Sequence, residues 1–227
     1  METHLSGWSY IIKNFVKYDA YHWEHVVSAG VVFIILTILA VIVKSKISLI
    51  PNGLQQVIEV VVEGLLQMID ENIGPHGRKY LPLCGALAFF IFVSNFTGML
   101  PGFQPATSNF NTTLGCALVV FVYYNFEGIR ENGVGYLKHF TGPIPLLAPI
   151  MIPIEIVGHL ARPFSLGIRL FGNISGEHVV TLVFYGMVAY VIPAPLMIIG
   201  LFAALLQTFV FVMLTTIYLA GAIAHDH

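Results

Sequence analysis

The chain has 227 residues, of which 57% are hydrophobic and only 10% charged, with a mean hydropathy of +0.83. A soluble domain carries about 25% charged residues, so this composition excludes one and predicts an integral membrane protein, with several long apolar runs rather than a single anchor. A formal net charge of −2 without any basic cluster gives no footing for nucleic-acid binding. Cys84 and Cys116 both lie in apolar runs and read as small buried hydrophobes, not as a disulfide or metal pair. No metal site or cofactor is expected.

Residues 1–25 are polar and aromatic, with Trp8, Tyr10, Tyr18, Tyr21 and Trp23, and read as an interfacial lead-in. They show neither the basic-then-apolar order of a cleavable signal peptide nor the Arg-rich character of a transit peptide. His22, Glu24 and His25 lack the H-E-x-x-H spacing of a zinc site and read as a hydrated segment. Residues 26–43 form a first uncharged span, closed by Lys44 and Lys46. Over 51–73, Gln55, Glu59, Glu63 and Gln67 recur every four residues opposite Leu54, Ile58, Val61, Leu65 and Ile69. That spacing predicts an amphipathic helix stopped at Gly74-Pro75. Its acidic face suits docking onto protein or lying in the interface; anionic lipid would want Lys and Arg there.

A second span covers 81–100 and contains Asn95. The following loop, PGFQPATSNFN, carries no charge, and a third span runs over 111–126, closed by Glu127, Arg130 and Glu131. From 149 to 224 the chain is almost continuously apolar, divided by Pro193-Ala-Pro195 into a helical hairpin. Its first arm would measure about 60 Å as a helix, twice a ~30 Å hydrocarbon core, and must be strongly tilted, broken or both. The fold expected is therefore an all-α single membrane domain of about five transmembrane helices, one amphipathic interfacial helix and a long tilted C-terminal hairpin. Lys44, Lys46, Arg78, Lys79, Arg130 and Lys138 outnumber Lys13 and Lys17 on the other side. The positive-inside rule then puts the N-terminus outside and the C-terminus in the cytoplasm.

The chemistry concentrates between Glu155 and His178, EIVGHLARPFSLGIRLFGNISGEH. A charge at bilayer depth costs about 2.5–3.5 kcal/mol on insertion scales, so these residues must be paired, hydrated or used. Glu155, Arg162 and Arg169 are spaced by seven and share one helix face, with Asn173 one turn beyond; His178 falls nearly opposite. Gly172, Ser175 and Gly176 suggest a local irregularity. Arginine supplies a permanent cation, whereas His and a half-buried Glu can pass protons on. In the last helix Gln207, Tyr218 and Gly200 share a face, and Gln207 can hydrogen-bond Arg169 or serve as a plain helix–helix amide contact. Arg162 reads as a snorkelling or lipid-contacting residue. Asn95, His159 and Asn111 read as helix-contact residues, and Tyr218 stays open.

PFSLGIRLFGNISGEH followed by LLQTFVFVMLTTIYLA resembles subunit a of the F-type ATP synthase membrane sector. LPLCGALAFFIFVSNFTGMLP and PATSNFNTTLG resemble the same family, so the likeness spans roughly residues 50–220. It implies a non-catalytic stator subunit in a bacterial inner membrane that couples proton or sodium translocation to ATP synthesis. The partners implied are a ring of c subunits carrying buried carboxylates, b-type peripheral-stalk subunits and the rest of the complex. Arg169 matches the stator arginine facing the ring; Asn173 and Gln207 match polar positions beside it, and Glu155 an acidic position four turns earlier. His178 matches the titratable position of the ion-access path. Glu177 stands one residue early, and Gly200 replaces a frequent partner, so the inlet role falls to Glu177, His178 or both. Two other classes compete. A secondary transporter would bind an anionic substrate at a midplane arginine and predicts internal repeats, none of which is visible. An intramembrane hydrolase would need a base for Ser165.

Overall fold

The computed structural model describes residues 20–49, 53–99, 103–133, 136, 148–187 and 193–223, and among these it is helical without strands. Six α-helices follow in order: α1 Ala20–Ser45, α2 Gly53–Asn72, α3 Leu81–Thr97, α4 Phe110–Asn132, α5 Ala148–Met187 and α6 Pro193–Ile223. Short 3₁₀ turns lie at Pro75–Tyr80 and Ala106–Ser108. Among the described residues, four segments are long and apolar enough to cross a bilayer: Glu24–Ser45, Pro75–Thr97, Phe110–Asn132 and Pro195–Ile223. The chain is a multi-pass membrane protein. Most of the interfacial lead-in, the loop with Lys138 and His139, and the C-terminal HDH lie outside the described residues.

Helix α1 begins at Ala20, before the expected first span, so Tyr21 and Trp23 belong to it. Helix α2 is amphipathic: Leu65 and Ile69 are buried, and its wet face is tied along the axis by Gln55–Glu59 and Gln67–Glu71 hydrogen bonds of 2.7 and 2.9 Å. It stops at Gly74, whose φ of 89° needs a residue without Cβ. Pro75 then opens the 3₁₀ turn, and Arg78 reaches back to Asp70 with a 2.8 Å ion pair. That hydrogen bond holds the Asp70 carboxyl below its ordinary pKa.

The uncharged loop after α3 folds back into the body rather than into water. Thr107 is fully buried and donates to Asn95 Oδ1 at 2.6 Å, while Ser28 and Ser175 donate to the carbonyls of Gln104 and Ser108, both at 3.1 Å. A buried loop must find partners for its own backbone groups, and these hydroxyls supply them. Gly98 packs so closely on Pro105 that a Cβ there would fall 2.6 Å from the ring.

Helix α4 runs past the expected end at 126 to Asn132. Glu127, expected with Arg130 and Glu131 to close the span, has a side chain only 5% exposed and is paired. It accepts from Tyr80 at 3.1 Å and from Arg130 at 3.4 Å, with Lys79 at 3.6 Å, and Lys79 also pairs with Glu131. Helix α5 is continuous for 40 residues despite Pro153 and Pro163 inside it, and no break appears at Gly172 or Gly176. Its straight-helix length is about 60 Å. Pro193 and Pro195 open α6, where their missing N–H groups cost nothing. The main core lies where α3, α4, α5 and α6 meet, around Ile91, Val120, Tyr124, Leu170, Phe211 and Leu219. Leu65, Ile69, Cys84, Ala88 and Val212 form a smaller cluster that seats α2 against α3 and α6.

Removing one side of a buried ion pair costs about 3–5 kcal/mol, whereas exposed pairs contribute at most ~1. Glu127→Ala should therefore destabilise the purified protein by roughly 3 kcal/mol or more. Arg130→Ala, with a side chain 68% exposed, should shift the thermal midpoint little. Equal midpoints for the two variants would show that Glu127 does not anchor this end of the bundle.

Candidate functional site

Helix α5 divides its residues between two faces. Leu166, Leu170 and Ile174 are at most 4% exposed and fix the helix to the core. At Gly167 a Cβ would stand 3.3 Å from the Leu114 backbone, so α5 runs close along α4 there, and Phe171 meets Phe110 edge-on at 5.8 Å. The other face is open. Arg169 and Asn173 are both exposed, along with Ile168, Ser165, Gly172 and Gly176. No heavy atom comes within 4 Å of a Cβ built on Gly158, Gly172 or Gly176. Among the described residues Arg169 makes no hydrogen bond or ion pair. Its guanidinium therefore stands on a smooth surface of small and apolar side chains.

Gln207 reaches this region from α6. It is 4% exposed, and its Oε1 accepts from Asn173 Nδ2 at 2.6 Å. The amide thus pairs with Asn173, not with Arg169. Gln207 Nε2 is buried with no hydrogen-bond partner among the described residues. Because Arg169 and Asn173 are one turn apart on α5, that unused donor group and the guanidinium border the same patch.

Two turns beyond Arg169 the crevice between α5 and α6 holds Glu177 and His178, both half-buried. Gly200 of α6 is buried directly against the Glu177 carboxylate, and a Cβ at position 200 would collide with it. The missing side chain at 200 is thus the space Glu177 occupies. A small cavity of about 30 Å³ adjoins them, lined among others by Asn95, Gly98, Glu177, His178 and Thr181. A cavity needs some 10–15 Å³ per water, so it has room for about two, and its polar lining can hold them. Asn95 Nδ2 is buried without a partner, while Asn95 Oδ1 is taken by Thr107.

Asn95, expected as a helix-contact residue, stands near the end of α3 and also lines this cavity, because the 103–109 loop folds inward over it, which no local pattern announces. Arg162 differs from expectation. It pairs with Glu155 at 3.7 Å and lies 5.6 Å from the ring centre of Tyr218, with its side chain 31% exposed. It is bound to its own chain rather than turned out to lipid. Glu155 is therefore joined to Arg162, about 21 Å of helix away from Arg169.

The model of the family described as ATP synthase A chain matches residues 25–220. ATP synthase subunit a of Sulfurihydrogenibium sp. (strain YO3AOP1) is 48% identical over 202 residues, covering 89% of this chain and 98% of that relative. ATP synthase subunit a 1 of Syntrophotalea carbinolica is 46% identical, covering 89% of this chain and 87% of the relative. ATP synthase subunit a of Geobacter sp. (strain M21) is 44% identical, with 90% and 89% covered. An exposed arginine amid small residues on a 40-residue helix and this near full-length likeness agree: the chain belongs to the ATP synthase subunit a family.

Proposed function

We propose that this chain is the stator subunit of an F-type ATP synthase, with Arg169 facing the rotating ring and two offset paths carrying protons to and from it. The observation that carries the reading is the open face of α5: a permanent cation, unpaired among the described residues, on a surface otherwise suited to lipid. Leaving it in hydrocarbon would cost several kcal/mol. A carboxylate on a neighbouring subunit removes that cost, and Ser165, Gly172 and Gly176 let the neighbour's backbone approach. A transporter reading would want the arginine inside a cavity closed by its own chain, whereas Arg169 is exposed.

The mechanism follows from the charge. A ring carboxylate facing lipid must be protonated, because the ionised form is too costly there. It can ionise where it meets the positive charge of Arg169, which also blocks a direct leak. Asn173 and Gln207 hold each other beside the arginine and offer polar groups to the passing carboxylate. Protons arrive through the outer crevice of Asn95, Glu177 and His178, whose groups can take up and release them, and leave past Glu155 at the other end of α5. Each proton crossing 100 mV releases about 2.3 kcal/mol, which biases rotation. Orientation follows the positive-inside distribution, with the bacterial inner membrane as location. Helix α5 crosses it steeply tilted, since about 60 Å of helix exceeds a ~30 Å core.

A second partner fits the opposite side. Helix α1 is held at one end by Ser28 and the buried Val32, and farther along it borders an apolar groove of about 1000 Å³. Phe33, Thr37, Val41, Lys44, Leu87 and Val119 are among its walls. An apolar helix, about 10 Å across, fits such a groove, and the peripheral-stalk subunits are the partners it suits.

Arg169→Ala in the complete complex should abolish proton-driven ATP synthesis while the subunit still assembles. Normal coupled synthesis by that variant would sink the reading. Gly200→Ala should push the Glu177 carboxylate out of the crevice and slow proton conduction about tenfold, the equivalent of ~1.4 kcal/mol on the barrier, with little change in subunit content. An unaltered conduction rate in Gly200→Ala and in single Glu177→Gln and His178→Ala variants would remove the crevice from the path.

A further inference from the structure

His159 is the most deeply buried histidine among the described residues, 8% exposed. It stands on α5 four positions after Glu155 and three before Arg162, so the three share one side of the helix. The network around it fixes where its proton sits. Asn125 Nδ2 donates to the Phe121 carbonyl at 2.7 Å, which turns Asn125 Oδ1 toward the imidazole. That oxygen already accepts from the Tyr136 hydroxyl at 3.0 Å, and His159 Nε2 lies 2.8 Å from it. An oxygen can only accept, so Nε2 carries the hydrogen.

The imidazole is also wedged by rings. Tyr124 meets it edge-on at 5.4 Å, with its hydroxyl 3.4 Å from Nε2, and Phe121 lies at 5.3 Å. Tyr124 in turn packs at 6.1 Å on Tyr218 of α6, the ring over which Arg162 sits, and Arg162 holds Glu155 at 3.7 Å. One contact chain therefore runs from Asn125 on α4 through His159 and two tyrosines to the Arg162–Glu155 pair. A polar imidazole buried here must keep its bond to Asn125, because leaving such a group unsatisfied costs about 1–3 kcal/mol. That requirement locks the rotation of α5 about its own axis at this level.

We propose that His159 is a positioning residue for the inner end of the ion path: through Asn125 and Tyr124 it fixes the α5 face on which Arg162 holds Glu155 in the proton's way out. This rests on the function proposed above. Loss of the lock slows proton release to the ATP-producing side and leaves uptake from the other side alone. Because slow release is relieved by a lower proton concentration where the proton emerges, the defect has a side.

The test uses the complete ATP synthase in sealed vesicles, with the pH of each side varied separately and each rate divided by wild type under the same conditions. His159→Leu should synthesise ATP about tenfold more slowly, as expected for ~1.4 kcal/mol on the limiting step, with normal subunit content. Raising pH on the ATP-producing side should recover much of the deficit; acidifying the opposite side should not. His159→Gln, which keeps an N–H donor for Asn125, should stay within about twofold of wild type, under 0.5 kcal/mol. If His159→Leu does not assemble, His159→Asn, polar but too short to reach Asn125, should show the same one-sided deficit. A wild-type rate in His159→Leu, a deficit equal on both sides, or failure of Gln to rescue overturns the proposal. Arg169→Ala in the same vesicles separates the two levels: coupled synthesis surviving there defeats the parent reading, whereas a two-sided His159 deficit beside an inactive Arg169→Ala defeats only this one.

Discussion

Everything in the bundle is arranged around one unfavourable charge. A guanidinium stays charged in a low dielectric, whereas a buried Lys can lose a proton and a buried Glu can gain one to become neutral. Arg169 must therefore meet an opposite charge or water, and neither is provided by the described residues of its own chain. The inward face of the same helix is correspondingly firm. Leu166, Leu170 and Ile174 are buried almost completely, and Gly167 allows α5 to run against the α4 backbone. The packing under Arg169 holds the helix in place there, and the small residues beside the arginine leave open space.

The crevice at Glu177 shows the complementary arrangement. Arg169 is left open, whereas the Glu177 carboxylate is enclosed where Gly200 lacks a side chain across from it. A half-buried carboxylate in a narrow polar crevice can change protonation state with small changes in its surroundings. A guanidinium cannot. A permanent cation and a carboxylate thus stand in two different local geometries on one continuous helix. The buried amide of Asn95 faces this crevice from α3, and its other atom is already committed to Thr107, which fixes its orientation.

The sequence showed much of this architecture, for identifiable reasons. Period-four polarity announced α2, and Pro193 with Pro195 announced the turn into α6, because both signals are local. Seven-residue spacing put Glu155, Arg162 and Arg169 near one face. What stayed hidden depended on contacts between distant segments. Glu127 stood with Arg130 and Glu131 as the close of a span, and its burial is set by Tyr80 and Lys79, 47 or more positions earlier. Arg162 looked like a lipid anchor because Tyr218 and the geometry toward Glu155 were unknown. Asn95 and His159 were expected as helix contacts and both are buried against other segments, but an isolated polar residue in a span has no periodicity to name its partners. Gly172, Ser175 and Gly176 suggested a local irregularity, yet α5 runs through them as continuous helix, with open space beside both glycines.

That continuity matters for coupling. A 40-residue helix anchored along one side transmits rotation and tilt from end to end far better than two helices joined by a flexible break. Arg169, the Glu177–His178 crevice and the Glu155–Arg162 pair are then set at fixed distances and angles by one rigid element. The two proline interruptions each remove a backbone hydrogen bond, and both lie in the half that carries Glu155, not between Arg169 and the crevice. In that half, where the prolines remove two backbone bonds, the buried contacts of His159 with Asn125 and Tyr124 tie α5 to α4.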